Sequence, residues 1–204
     1  MHCSMETLMK LERTGEVGKS LPDLGTSDFT ITAWIKTESR GGTILAKAPE
    51  RGNWAPGGKV FFLQDGTPTF DVGWVGNIET EVQVNDGNWH HLALAKADKL
   101  EFYVDGQLVS SHTLRMDPDV ADHVLKIGFC SGDFPRQSGL EGDIDEVRIY
   151  RRRLFAVEVK RIYNNEVSDV GGWYTNEFFE RGFAYRKSRL RNQRLGYDGY
   201  VVEA

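Results

Sequence analysis

The sequence is poor in the features that announce several common protein classes. It has two cysteines in 204 residues, Cys3 and Cys130, far apart and without CxxC or metal-ligand spacing. That excludes a dense disulfide framework or a zinc module; two unpaired thiols, or one disulfide tying the N-terminus to a late strand, both remain open. No apolar run approaches the ~18–20 residues of a membrane-spanning helix. The first twenty residues lack the apolar stretch of a secretion signal, so the expectation is a cytoplasmic protein or a mature or excised piece of a larger one. P-loop, HExxH, GxSxG and Rossmann fingerprints are missing, and with them the residues of four common catalytic chemistries. No sign of charge dominates either: the net charge is −5. It is unevenly spread. Residues 1–147 carry 13 basic and 23 acidic side chains, whereas 148–194 carry 12 and 5. A basic section of this kind packs against its own acidic body or faces solvent, and nucleic-acid binding is not expected.

Glycine is plentiful, 22 residues, and most of it sits beside Asp, Asn or another Gly. That is turn chemistry, and it predicts many short strands. Residues 29–36 alternate, with Phe29, Ile31, Ala33 and Ile35 on one face and Thr30, Thr32, Trp34 and Lys36 on the other, the period of a strand. Further strands are expected at 42–48, 60–63, 69–74, 79–84, 89–96, 100–104, 107–109, 124–130 and 143–150. Asp65-Gly66 and Asp105-Gly106 mark hairpin turns. Residues 49–58, with two prolines and three glycines, read as a loop. In the last strand Ile144 is out of phase with Val147 and Ile149, and a bulge near Asp145 and Glu146 would restore the phase. Residues 155–164 fit one short helix that packs Val159, Ile162 and Tyr163.

Three segments stand in order: Phe-Thr-Ile-Thr-Ala-Trp-Ile-Lys (29–36); Asp-Gly-Asn-Trp-His-His-Leu-Ala-Leu (86–94) running into Phe-Tyr-Val-Asp-Gly-Gln-Leu (102–108); and Gly-Asp-Ile-Asp-Glu-Val-Arg-Ile-Tyr (142–150). Together they resemble the laminin-G-like domains of the concanavalin A-like lectin/glucanase superfamily, over roughly residues 5–165. The resemblance implies an all-β jelly-roll sandwich of two antiparallel sheets, secreted or on the cell surface, that binds glycans or proteins, often with calcium. It also casts Trp34 and Trp89 as core-filling aromatics. The expected division is a sandwich over 1–170 and a basic, aromatic extension over 171–204. That extension faintly resembles the end of a formylglycine-generating-enzyme/C-type-lectin-like domain; at 34 residues without cysteine it carries none of that family's chemistry.

The candidate ligand-binding residues are those that sugar recognition needs, an aromatic face for pyranose C–H groups and planar polar groups for hydroxyls. Trp54, Trp74, Asn77, Asp133 and Arg136 supply them, in three loops. The same tryptophans packing beneath their own loops is the alternative. Calcium needs six to eight hard oxygens, and a structural site joining Asp28 to Asp145 is the candidate, against Asp145 merely capping N–H groups at the bulge. Glu141, Asp143 and Asp145 alternate as glucanase carboxylates do, but Gly142 and Glu146 break that pattern, so no catalytic residues are expected. His90 and His91, adjacent on a strand, point to opposite faces and form no single metal site. Arg151-Arg152-Arg153 reads as a solvated turn. The sequence thus predicts a non-catalytic carbohydrate-binding module joined to other domains of a parent chain. A protein-interaction or adhesion module of the same fold is the alternative, and a glycoside hydrolase or lyase comes last. No membrane insertion is expected.

Overall fold

A computed structural model describes residues 22–168, 182–185 and 202–203, with side chains described over 22–164. Ten strands and one helix follow one another through residue 168: β1 (Phe29–Lys36), β2 (Gly42–Pro49), β3 (Lys59–Gln64), β4 (Thr67–Val72), β5 (Gly76–Glu79), β6 (Trp89–Lys96), β7 (Leu100–Val104), β8 (Gln107–His112), β9 (His123–Ile127), β10 (Asp143–Tyr150) and α1 (Ala156–Ser168). Two further short strands, β11 (Gly182–Tyr185) and β12 (Val202–Glu203), come from the C-terminal section. All pairings are antiparallel. Sheet A has the order β12-β11-β10-β1-β6-β7-β8, and sheet B the order β5-β4-β3-β2-β9. The chain crosses between the sheets after β1, β5, β8 and β9, and the two antiparallel layers make the fold the expected all-β jelly-roll sandwich.

The two-residue rhythm builds the core directly. Phe29, Ile31, Ala33 and Ile35 from β1 face Leu45, Phe61, Leu63, Phe70 and Val72 of sheet B, with Leu92, Leu94 and Phe102 alongside, and each is at most 1% exposed. A fully buried side chain of this size contributes roughly 1.5–3 kcal/mol from the apolar area removed from water. The last strand is bulged where expected. Thr32 pairs with Arg148 but Trp34 pairs with Asp145, so one residue on β10 is left over, and Glu146 takes up the left-handed conformation (φ 51°). The bulge turns Ile144, Val147 and Ile149 all toward the core.

Three expectations need correction. Residues 79–84 do not form a strand: β5 ends at Glu79, and the backbone then bonds to the β3–β4 hairpin at Thr80 N to Pro68 O (3.0 Å) and Val84 N to Gly66 O (2.9 Å). Val84 is buried by that path, which is why its neighbourhood reads as strand-like. β9 stops at Ile127 rather than 130 because Gly128 turns the chain at φ 78°. Trp34 does not fill the space between the sheets. It lies on the outer side of sheet A, stacked on Tyr163 (5.7 Å between ring centroids) and edge-on to His91 (5.3 Å). There α1 covers the sheet, burying Val159 and Leu154 against Ala93, Ala95 and Tyr103. The fold is therefore three layers deep on this side. β11 extends sheet A by pairing Val147 to Tyr150 with Tyr185 to Gly182. The expected boundary at 170/171 lies outside the described residues, as does Cys3; Cys130 is a buried free thiol.

Candidate binding face

Sheet A is covered on its outer side by α1, and the outer side of sheet B is covered by loops. Strand register fixes one row of side chains there: Asn77 opposite Asp71, Asp71 opposite Val60, Val60 opposite Ala46, and Ala46 opposite Lys126. Residues directly opposite share a face, so the row runs from the β5 edge to the β9 edge. Its middle is apolar. Ala46, Ala48, Val60, Phe62 and Cys130 form a small cluster, roofed by Trp54 from the 50–58 loop and Phe134 from the 130–139 loop.

The two roofing loops are tied to each other and to the sheet. Trp54 stacks on Phe134 (5.2 Å, 29° between planes), and Phe134 meets Phe62 edge-on (5.5 Å). The Trp54 backbone N–H donates to Asp133 Oδ1 (2.7 Å), and Ser131 Oγ donates to the same carboxylate (2.9 Å). These bonds hold the Asp133 carboxyl below its ordinary range, the Trp54 N–H first among them. The Trp54 indole lies flat over Gly58, where a β-carbon would come within 2.7 Å of the ring. Its N–H faces the Asp71 carboxylate and opposes the rise in its pKa. Asp71 pays for its position beneath the loop: burial pushes its carboxyl up to about 6 against the indole's opposing effect, and Oδ1 is buried without a hydrogen-bond partner among the described residues.

The β4–β5 turn carries the exposed aromatic. Trp74 is 67% exposed and holds a left-handed backbone (φ 62°), a conformation that costs a bulky residue about 1–3 kcal/mol. The turn is stitched to the 50–58 loop. Gly73 N donates to Gly58 O (2.8 Å), Gly57 N donates to Gly73 O (3.4 Å), and a side chain at Gly73 would collide with the Ala55 carbonyl.

The structure thus brings four of the five candidate ligand residues, Trp54, Asp133, Trp74 and Asn77, to one side of sheet B. Trp54 and Asp133 are bonded directly, and Trp74 is stitched to their loop through Gly73. Asn77 is exposed beside Asp71, and Arg136 is exposed in the 130–139 loop two residues past Phe134. Trp54 itself packs under its loop, as the alternative reading had it. The candidate calcium ligands are not brought together. Asp28 precedes Phe29, which pairs with Lys96, and its Oδ1 lies 4.0 Å from Lys96 Nζ; Asp145 pairs with Trp34 at the other end of β1. Six residues of strand separate them by about 20 Å. Asp145 Oδ1 instead accepts from the Glu146 N–H at the bulge (2.9 Å). Among the described residues no group of three His, Cys, Asp or Glu side chains is arranged to hold a metal ion.

The histidines do point to opposite faces. His90 Nδ1 and Nε2 sit against Asp105 (2.8 Å) and Asp86 (3.1 Å); burial alone would lower its pKa, but the two carboxylates outweigh it and raise it. His91, on the helix-covered side, is held down to about 3 by burial and by the Arg148 charge. Arg152 and Arg153 are ion-paired to Glu158 (2.7 Å) and Glu101 (2.8 Å). Sequence reasoning missed Asp71 and Phe134. The signal for Asp71 was present, an acid on a strand whose neighbours Phe70 and Val72 are core residues, which sets it on the opposite face.

A family model for the concanavalin A-like lectin/glucanases superfamily, of the laminin G type, matches residues 14–160. The chain belongs to this superfamily. Solved structures resemble it at low identity. Domain 4 of AbnA, a GH43 extracellular arabinanase from Geobacillus stearothermophilus in complex with arabinotriose, is 21% identical with a TM-score of 0.55, covering 70% of each chain. A putative carbohydrate binding protein from Bacteroides ovatus is 18% identical with a TM-score of 0.53, covering 72% of this chain and 42% of that one. Domains LG4-5 of the mouse laminin alpha1 chain are 19% identical with a TM-score of 0.50, covering 67% and 40%. The chain thus spans less than half the length of two of these chains. Among the described residues no helix is long and apolar enough to cross a membrane.

Proposed function

We propose that this laminin-G-like chain is a non-catalytic recognition module for carbohydrate, acting outside the cell, with its ligand seated on the loop-bearing side of sheet B at the Trp74 turn. One observation carries the reading: a tryptophan is held two-thirds exposed on a strained backbone, where glycine would sit without cost. Packing does not account for that placement, and a flat apolar platform for a sugar ring does. Asn77, exposed three residues on, supplies the donor and acceptor that orient hydroxyl groups. The candidate carboxylates for hydrolysis do not support an enzyme: Asp145 is engaged at the bulge, and Glu141 and Asp143 are exposed beside the Lys36 end of β1, away from this face.

A glycan array that includes arabino-oligosaccharides tests the proposal, because the AbnA domain holds arabinotriose. Trp74→Gly should weaken binding by about 10- to 100-fold, the worth of one buried aromatic contact, while the melting temperature holds or rises as backbone strain is relieved. Binding that persists unchanged in Trp74→Gly removes the assignment. The signal should also survive chelation by EDTA, since the two candidate calcium ligands stand at opposite ends of β1.

A further inference from the structure

The carboxylate of Asp71 lies beneath the roof of sheet B, and its surroundings suit the acid better than the anion. Trp54 contributes one N–H. From β3 the same face presents Val60 and Phe62, and from β5 it presents Asn77. From the 130–139 loop come Cys130, whose thiol burial pushes up to about 12 and so keeps neutral, and Asp133, which is exposed and engaged by the Trp54 N–H. The nearest cation in the row, Lys126, lies three strands away, about 14 Å at the usual strand spacing, and donates to the Cys130 carbonyl (2.6 Å). Among the described residues no positive charge therefore answers an ionised Asp71, and Oδ1 has no donor. Closing the 50–58 loop over the carboxylate costs more when the group is charged than when it is protonated.

We propose that the 50–58 loop is an acid-closed latch, in which protonation of Asp71 holds Trp54 down on sheet B and ionisation releases it. Opening bares Phe62, Phe134 and the Trp54 ring beside Trp74, so the latch regulates the same face; that last step rests on the carbohydrate reading above. The midpoint expected from the burial of Asp71 lies near pH 6. His90, whose pKa is raised, belongs to sheet A and its partners are Asp86 and Asp105.

Hydrogen exchange of the whole chain without ligand tests the latch independently of any sugar. After correction for intrinsic exchange rates, amide protection over 50–58 should fall about tenfold from pH 5 to pH 7.5, the change expected when a carboxyl titrating near 6 in the closed state titrates near 4 in the open one. Asp71→Asn should keep the loop protected at both values. Trp54→Phe keeps a ring over Gly58 but removes the donor to the carboxylate, so it should retain the pH dependence with a higher midpoint. Equal protection at pH 5 and 7.5 in the wild type, or the same pH dependence in Asp71→Asn, overturns the latch. A latch that behaves as stated while the glycan array stays blank overturns the carbohydrate reading alone.

Discussion

At the scale of single residues, the strongest constraints are charges placed where water is scarce. Lys47 and Lys59 point inward from sheet B and are nearly or fully buried, and both are answered by Asp119: Lys47 through Oδ2, and Lys59 through Oδ1 at 2.9 Å. Pro22 O accepts from Lys47 (2.7 Å) and Pro118 O accepts from Lys59 (3.0 Å), while Asp119 Oδ2 also takes the Leu24 N–H (2.9 Å). One carboxylate thus pins the segment before β1 and the segment before β9 to the end of the sandwich. Asp119→Ala leaves two buried ammonium groups on carbonyls alone and should cost about 3–5 kcal/mol in a urea-unfolding measurement. Lys59→Met removes one of the two cations together with its need for a partner, and should cost clearly less. Equal losses for the two variants would mean that the carboxylate acts by packing rather than by charge.

At the scale of elements, turns and bulges decide where alternation becomes structure. Gly142 precedes β10 at φ 149°, and a β-carbon there would collide with the Lys36 carbonyl. Gly142→Ala should therefore destabilise by about 2–4 kcal/mol, through strain at a left-handed position plus a backbone clash, read as a lowered urea midpoint at constant slope. The paired strands were legible because one face of each is core: Phe29, Ile31, Ala33 and Ile35 announce β1 without help, and the phase break at Ile144 announced the bulge at Glu146. The 79–84 segment was misread because Val82 and Val84 alternate like a strand while the backbone meets only the hairpin beside it. Trp34 was assigned to the wrong layer because a half-buried aromatic on a strand looks the same whether a sheet or a helix covers it. Trp74 was read as part of a loop and stands in the β4–β5 turn, whereas Asn77, read in the same loop, stands in β5; Trp54's role as a roof was decided by Phe134 and Gly58, which are distant or silent in sequence. Asp28 and Asp145 failed as a pair for the same reason: the antiparallel register that separates them is a long-range fact.

At the scale of the whole molecule, four of the described groups shape how stability responds to pH above about 4. His91 binds its proton only in the unfolded chain between about pH 3 and 6.5, so it makes stability climb with pH there, and His123, lowered chiefly by burial, acts in the same direction. Asp71 does the reverse. Its folded-state value of about 6 exceeds the unfolded one, so its penalty is absent below about pH 4 and complete above about 6. His90, raised by Asp105 and Asp86 over the opposing effect of burial, adds stability that is full below about pH 6.5 and is lost as pH rises through its folded value. The expected melting curve is shallow between pH 4 and 6 and declines on the alkaline side. In Asp71→Asn the same measurement should show stability rising with pH from 4 to 6, and in His90→Asn the alkaline decline should flatten. A wild-type profile that climbs steeply through pH 5 would contradict the assigned balance between Asp71 and His91.

The helix laid across the back of sheet A has a practical reach. It gives the molecule a blind side, with Lys160 exposed upon it and Trp74 raised from the other sheet. Anchored to a sensor surface or a bead through a single linkage at Lys160, the protein would stand with its ligand-seeking rim turned to the solution, whereas coupling through the 50–58 loop would set it face down.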